Sequence, residues 1–215
     1  ALRRHHAANI RELDAQIAPK IIPPGVSSIF TPGEPGDTER HANAPTQFLY
    51  VGDLSAYKGY DLFLDALAGL PEGIDFRATV IGSGDPDTDR IEGLGLSDHV
   101  TVEGFVPRSK LPEYYRHADF YVMPSVDENG PNTIVEALAC GTPIVATDRL
   151  GTNEYATEGA AIYVERTPAA LRKGLIEAHE RREECTETAL EHAPEYRAER
   201  TVDALADLYH QHHED

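Results

Sequence analysis

Only two cysteines and four lysines occur in this chain of 215 residues, and no apolar run approaches the length of a membrane span. Each scarcity excludes something. Cys140 and Cys185 cannot build a disulfide framework, and neither stands in a metal-ligand spacing. Both are expected to be reduced thiols of an intracellular protein. With 19 basic against 37 acidic residues, the basic footprint of a nucleic-acid binder is missing. No signal peptide opens the chain, so a cytoplasmic location is expected. The chain begins at Ala1 rather than Met, and we expect it to be an excised piece of something longer.

What is present suffices for one core. Hydrophobic residues make up 40% of the chain, enough for one compact domain and too little chain for a second. The formal net charge is -18. Such an excess suits either a cationic partner or a salt-loving organism whose proteins stay soluble through dense carboxylate surfaces. The acids are scattered over every segment rather than massed in one tail, which favours the second. That concerns habitat and not the reaction.

From residue 46 onward strand-like and helix-like runs alternate. TQFLYVG reads as a strand, and KGYDLFLDALAGL as a helix with Leu62, Phe63, Ala66, Leu67 and Leu70 at helical spacing. FRATVIGSG, HVTVEGFV and DFYVMPS read as strands, with DPDTDRIEGLGL and SKLPEYYRHA as the helices between them. TPIVATD and AAIYV follow as strands. PAALRKGLIEAHERREE and PEYRAERTVDALADLYHQHH then read as one helix each. This alternation predicts an α/β fold, a Rossmann-like parallel sheet with helices on both faces. Such sheets bind ligands at the carboxyl ends of their strands. Residues 1–45 do not fit the beat. IIPPGVSSIFTPGEPGDTERHANAP reads as a linker, and the helix and short strand before it as the tail of a preceding domain, leaving 46–215 as the domain proper.

Residues 127–141, DENGPNTIVEALACG, carry Glu128 and Glu136 eight positions apart. Pro131 suits a first helical turn, so the amides of Asn132 and Thr133 point outward from a helix tip, a ready phosphate site. Glu136 lies in the next turn, and its side chain leans back toward the tip; Glu128 approaches from the loop. Carboxylates repel phosphate but accept hydrogen bonds from hydroxyls, so a ligand with phosphate between sugar hydroxyls fits. The plainer reading is an acidic loop that complements a helix dipole. In GDLSAYKGYDLFLDA, Gly52 ends a strand and Lys58 starts a helix, where a cation opposes the dipole unless an anion lies near. Gly82 and Gly84 end the next strand. Asp85 and Asp87 form an Asp-x-Asp that could hold a metal ion, but at a helix start they read as caps. The ten histidines show no metal spacing.

Taken in order, these segments resemble the C-terminal, donor-binding half of the retaining "group 1" glycosyltransferases, which have the GT-B fold. IIPPGVSSIFTP resembles the interdomain segment and VGDLSAYKGYDLFLDA the Gly-Arg-Leu…Lys-Gly motif. VIGSG, VTVEGFV and ADFYVMPS resemble the next strand ends. ENGPNTIVEALACGTPIVATD resembles the Glu-x7-Glu signature, and LGTNE the Gly-Gly-x-x-Glu. The resemblance implies a nucleotide-diphosphate sugar as donor and no metal ion or other cofactor. It implies that Lys58 binds the diphosphate and Glu128 the donor sugar, these two being the catalytic candidates. Asn129, Gly130, Pro131, Asn132 and Thr133 would line the sugar and phosphate, Glu136 would hold the ribose diol, and Phe105 and Val106 would line the base pocket.

Two positions depart from the pattern. Asp53 stands where the family has an Arg that also serves the diphosphate, and Leu150 replaces the first Gly of the pair. The resemblance further implies a missing N-terminal domain that holds the acceptor, so the fragment alone should not turn over. Any membrane association would come through that part. With the acidic composition, a haloarchaeal source is expected. The alternative is a non-catalytic nucleotide-sugar-binding or scaffold domain of the same fold, which Asp53 favours. A sugar-phosphate synthase or epimerase on this fold is a third.

Overall fold

The computed structural model describes residues 25–33, 44–126, 132–148 and 155–213. Six strands form one sheet: β1 (Thr46–Val51), β2 (Phe76–Ile81), β3 (Val100–Gly104), β4 (Phe120–Met123), β5 (Ile144–Thr147) and β6 (Ala161–Val164). Their order across the sheet is β3-β2-β1-β4-β5-β6, and every neighbouring pair is parallel. Parallel pairs need crossovers. These contain α1 (Tyr60–Ala68), α2 (Thr88–Gly93), α3 (Leu111–His117), entered through a 3-10 turn at Arg108–Lys110, and α4 (Asn132–Ala139). The chain then runs through α5 (Pro168–Glu180), α6 (Arg182–His192) and α7 (Ala198–His213). This is the Rossmann-like α/β fold that the alternation predicts.

Alternate strand residues point to opposite faces, and both faces are covered. Phe48, Tyr50, Ala78, Val80, Phe120, Val122, Val145 and Ile162 meet α1, Ile91 of α2 and α5. Leu49, Ile81, Tyr121, Met123, Ile144 and Ala146 meet α3 and α4. Double burial explains why FYVM and IVA read as unbroken apolar runs rather than alternating ones. Helix α1 buries Leu62, Phe63, Ala66 and Leu67 as its spacing predicts, and Leu70, just past its end, packs at the edge of the same core. Deleting the Phe63 ring would cost about 3–5 kcal/mol.

Three features differ from the sequence pattern. The helix expected over 168–184 breaks at Arg181 (φ -105°, ψ 19°). The buried positions Leu171, Leu175, Ala178, Cys185 and Ala189 keep helical spacing through the break, so periodicity cannot reveal it. Cys185 still packs on the first core and Ala189 on the second, so the turn carries the chain around the sheet. The Arg181 guanidinium spans the break, bonding Glu177 (2.7 Å) and Glu184 (3.0 and 3.1 Å).

The last helix begins at Ala198 rather than at Pro194, after a 3-10 turn at Ala193–Tyr196. Val26 causes this by pairing with Arg197. The Val26 amide donates to Tyr196 (3.0 Å) and the Ala198 amide donates to Val26 (3.1 Å), which holds Arg197 extended. Residues 25–33, read as linker, therefore lie against the domain, with Val26 and Phe30 buried in the second core.

Candidate functional site

Strand order reverses between β1 and β4, so the loops leaving these two strands diverge and open a crevice at the carboxyl edge. The loops around it are tied by backbone. The Gly52 amide donates to Ile81 (2.9 Å), Leu54 to Ser83 (2.8 Å), Gly82 to Gly104 (2.9 Å) and Val126 to Tyr57 (2.9 Å). Gly82 has no room for a Cβ because the Gly52 carbonyl occupies that space. Gly84 takes φ 130°, which L side chains rarely adopt. These two glycines thus serve loop packing on their own account, whereas a Cβ on Gly52 would meet only the Tyr50 ring at ordinary distance.

Lys58 stands half-buried two residues before α1, with Nζ 5.9 Å from the Tyr57 ring centre. Asp53 is exposed, and its carbonyl accepts from Tyr50 Oη (2.7 Å). Phe105 is 79% exposed just past β3, with Val106 half-buried beside it. At the start of α4, Asn132 is exposed and Thr133 half-buried. Tyr121 Oη donates to Thr133 Oγ1 at 2.9 Å. Glu128, Asn129, Gly130, Pro131 and the LGTNE segment with Leu150 lie outside the described residues. Asp87 caps α2 as expected, accepting from the Arg90 amide (3.2 Å), whereas Asp85 accepts from the Asp87 amide (3.0 Å) ahead of the helix and does not cap it. Among the described residues no three His, Cys, Asp or Glu side chains come together to hold a metal ion.

Glu136 is the buried charge of the site, 4% exposed in the second turn of α4. Its Oε1 accepts both Arg108 Nε (3.0 Å) and Arg108 Nη2 (2.7 Å). Its Oε2 accepts the Tyr115 hydroxyl at 3.4 Å. Tyr115 is completely enclosed, and burial first, then Tyr121 and Glu136, pushes its phenol well above the usual range, so it stays a donor. Both partners of Glu136 rest on one ring. Phe30 lies 5.1 Å from the Arg108 guanidinium carbon and 6.1 Å from the Tyr115 ring, edge to face.

The sequence reading missed Arg108, Tyr115 and Arg166. Arg166, after β6, donates to Ala56 (2.7 Å) and Pro124 (3.3 Å), clamping the loops that leave β1 and β4. A signal for Arg108 existed. Arg108 stands just ahead of the segment that reads as a helix, where a cation opposes the dipole unless an anion lies near, the same argument that singled out Lys58.

An all-parallel sheet in this order, with glycine turns at the edge of its crevice, defines a Rossmann-like domain. The chain matches the family described as "Glycosyl transferases group 1" over residues 37–193, and it belongs to that family. It is 32% identical to the D-inositol 3-phosphate glycosyltransferase of Nocardiopsis dassonvillei, over 97% of this chain and 52% of that protein. It thus spans about half the length of the curated relatives it matches. Sucrose-phosphate synthase from Thermosynechococcus elongatus shares the fold with TM-score 0.74 at 24% identity, over 95% of this chain and 55% of that one. Anabaena Alr3699/HepE, solved in complex with UDP and glucose, does so with TM-score 0.71 at 21% identity, over 89% and 57%.

Proposed function

We propose that this chain is the donor-binding half of a retaining glycosyltransferase, taking a nucleotide-diphosphate sugar and passing the sugar to an acceptor held by an N-terminal half. The observation that carries this reading is the buried Glu136 carboxylate in the helix that follows β4, whose Oε2 is engaged, among the described residues, only by Tyr115 at 3.4 Å. The ribose diol donates to it. Lys58 meets the leaving diphosphate, together with backbone from Gly130 to Thr133. Glu128 takes the hydroxyls of the donor sugar, and Phe105 and Val106 line the base. Positioning and stabilisation of the developing phosphate charge dominate the rate, without a metal ion. A structural neighbour holding UDP and glucose supports this ligand class.

The N-terminal half has a surface to meet. Helix α7 exposes Val202, Leu205 and Tyr209 along one side, an apolar row that suits a partner better than water. Without that half the chain binds donor and does not turn over. The acidic surface, we infer, belongs to a protein of a salty cytoplasm, with 37 carboxylates whose repulsion is screened when the Debye length falls to about 3 Å at 1 M salt. Its melting temperature then rises from dilute buffer to molar KCl, and a flat response would remove this reading.

Calorimetry with UDP, GDP and ADP in molar KCl tests the donor site. One clear binder is expected, with Glu136→Gln weakening it while the fold stays intact. Unchanged affinity would reduce Glu136 to a helix residue. Binding of none would favour a non-catalytic scaffold, the reading suggested by an exposed Asp53 in place of the family Arg.

A further inference from the structure

We infer that Arg108 is a positioning residue for the ribose carboxylate, and that Phe30 of the N-terminal segment holds it in place. The inference rests on the donor-site reading above and adds residues to it. A carboxylate offers about four lone-pair sites. Arg108 donates both of its bonds to Oε1, at 3.0 and 2.7 Å, and the Tyr115 hydroxyl donates to Oε2 at 3.4 Å. Arg108 therefore sets which way the carboxylate is turned: among the described residues Oε1 holds two cation donors, and Oε2 holds one long contact that leaves lone-pair capacity for a diol hydroxyl.

Burial asymmetry assigns the roles. The Glu136 side chain is 5% exposed and that of Arg108 58%. A carboxylate that deep is costly without a cation beside it, whereas Arg108 could rest in solvent at little cost. Arg108 is kept from doing so by the Phe30 face, 5.1 Å from its guanidinium carbon. The same ring packs edge-on to Tyr115 at 6.1 Å, so one side chain backs both donors to Glu136. Phe30 itself is 1% exposed and sits on the segment that Val26 pins to Arg197. The path from the N-terminal segment to the carboxylate thus runs Phe30, Arg108, Glu136, over two contacts that nothing in local sequence connects.

The test compares a nucleoside diphosphate with its 2′,3′-dideoxy counterpart, for the 215-residue chain and for Arg108→Ala. The chain itself is expected to prefer the ribose form. Arg108→Ala should weaken the ribose form by roughly tenfold, the scale of a bond to a charged group, and leave the dideoxy form within about twofold. Phe30→Leu should move the same ratio in the same direction by less, and circular dichroism would verify its fold. Equal losses for both ligands would make Arg108 a phosphate or base contact. A gain for the ribose form would make it a lock that the donor displaces. No change would make the pair merely structural. Each of these overturns the inference while leaving the donor site standing, whereas no binding of either ligand by the unaltered chain overturns the donor-site reading itself.

Discussion

Gly59 faces the Pro124 carbonyl across the point where strand order reverses, with no space between them for a side chain. Gly59 also takes φ 77°, in the left-handed region. The Lys-Gly pair thereby gains a physical reason: only glycine lets the β1 loop close on the β4 loop with Lys58 beside it. Gly59→Ala should cost about 1–2 kcal/mol from the backbone conformation alone and more from the collision. Gly93 is a useful contrast, since it closes α2 with a negative φ and nothing within 4 Å of a Cβ. Gly93→Ala should stabilise by about 0.5–1 kcal/mol. Urea denaturation of both variants checks the opposite signs.

Asp119, at the entrance to β4, accepts from the Gln47 amide (2.8 Å) and lies 3.7 Å from Arg182 Nη1. Their side chains are 4% and 12% exposed, and Arg182 also donates to Ala44 (3.1 Å). Asp119→Ala removes the carboxylate beside Arg182 and the acceptor of the Gln47 amide, and should destabilise by about 1–3 kcal/mol. Asp119→Asn keeps an acceptor for Gln47 and should cost less. Equilibrium denaturation should rank the two in that order; equal costs would mean the charge does not matter.

Burial pushes the Cys140 thiol up to about 12 from an ordinary 9.0, and burial also raises Cys185. Raised values keep the neutral thiol, and the thiolate is the reactive form. Neither should react with a thiol reagent at pH 8 in the native state, and both should react in denaturant. Folded values above unfolded ones stabilise the protein fully below about pH 9, and this contribution is lost as pH climbs toward 12. Tyr60, raised by burial and by Asp87 and Asp61 to about 12, adds to the loss from about pH 10 upward. Melting temperatures between pH 8 and 11 should fall, and fall less for Cys140→Ala.

Asp53 is exposed on the β1 loop, so its carboxylate can turn away from a diphosphate on Lys58. Asp53→Arg should then strengthen nucleoside-diphosphate binding several-fold, a charged two-bond contact replacing a repulsive neighbour. Lys58→Ala should weaken the diphosphate more than the bare nucleoside. Abolished binding in Asp53→Arg with no effect of Lys58→Ala would move the diphosphate off this loop.

Much of the fold was legible because its signals are local. The strand runs and the α1 spacing depend on residues within a few positions of one another, and Asp87 caps α2 three residues away. The Glu136 position was legible too, since a helix tip after a strand end is a local pattern. Its partners were not. Arg108 lies 28 residues from Glu136 and Tyr115 lies 21, and neither distance leaves a period in the sequence.

The chain by itself therefore determined which segments become strands and helices, where glycine turns end them, and which carboxylate enters the second turn of α4. Each follows from backbone sterics and apolar spacing over a few residues. Only the tertiary structure decided the strand order, the break at Arg181, the docking of Val26 and Phe30, and the turning of Glu136 toward Arg108. Those depend on which distant surfaces bury one another, and burial is a property of the packed whole that no single stretch of sequence contains.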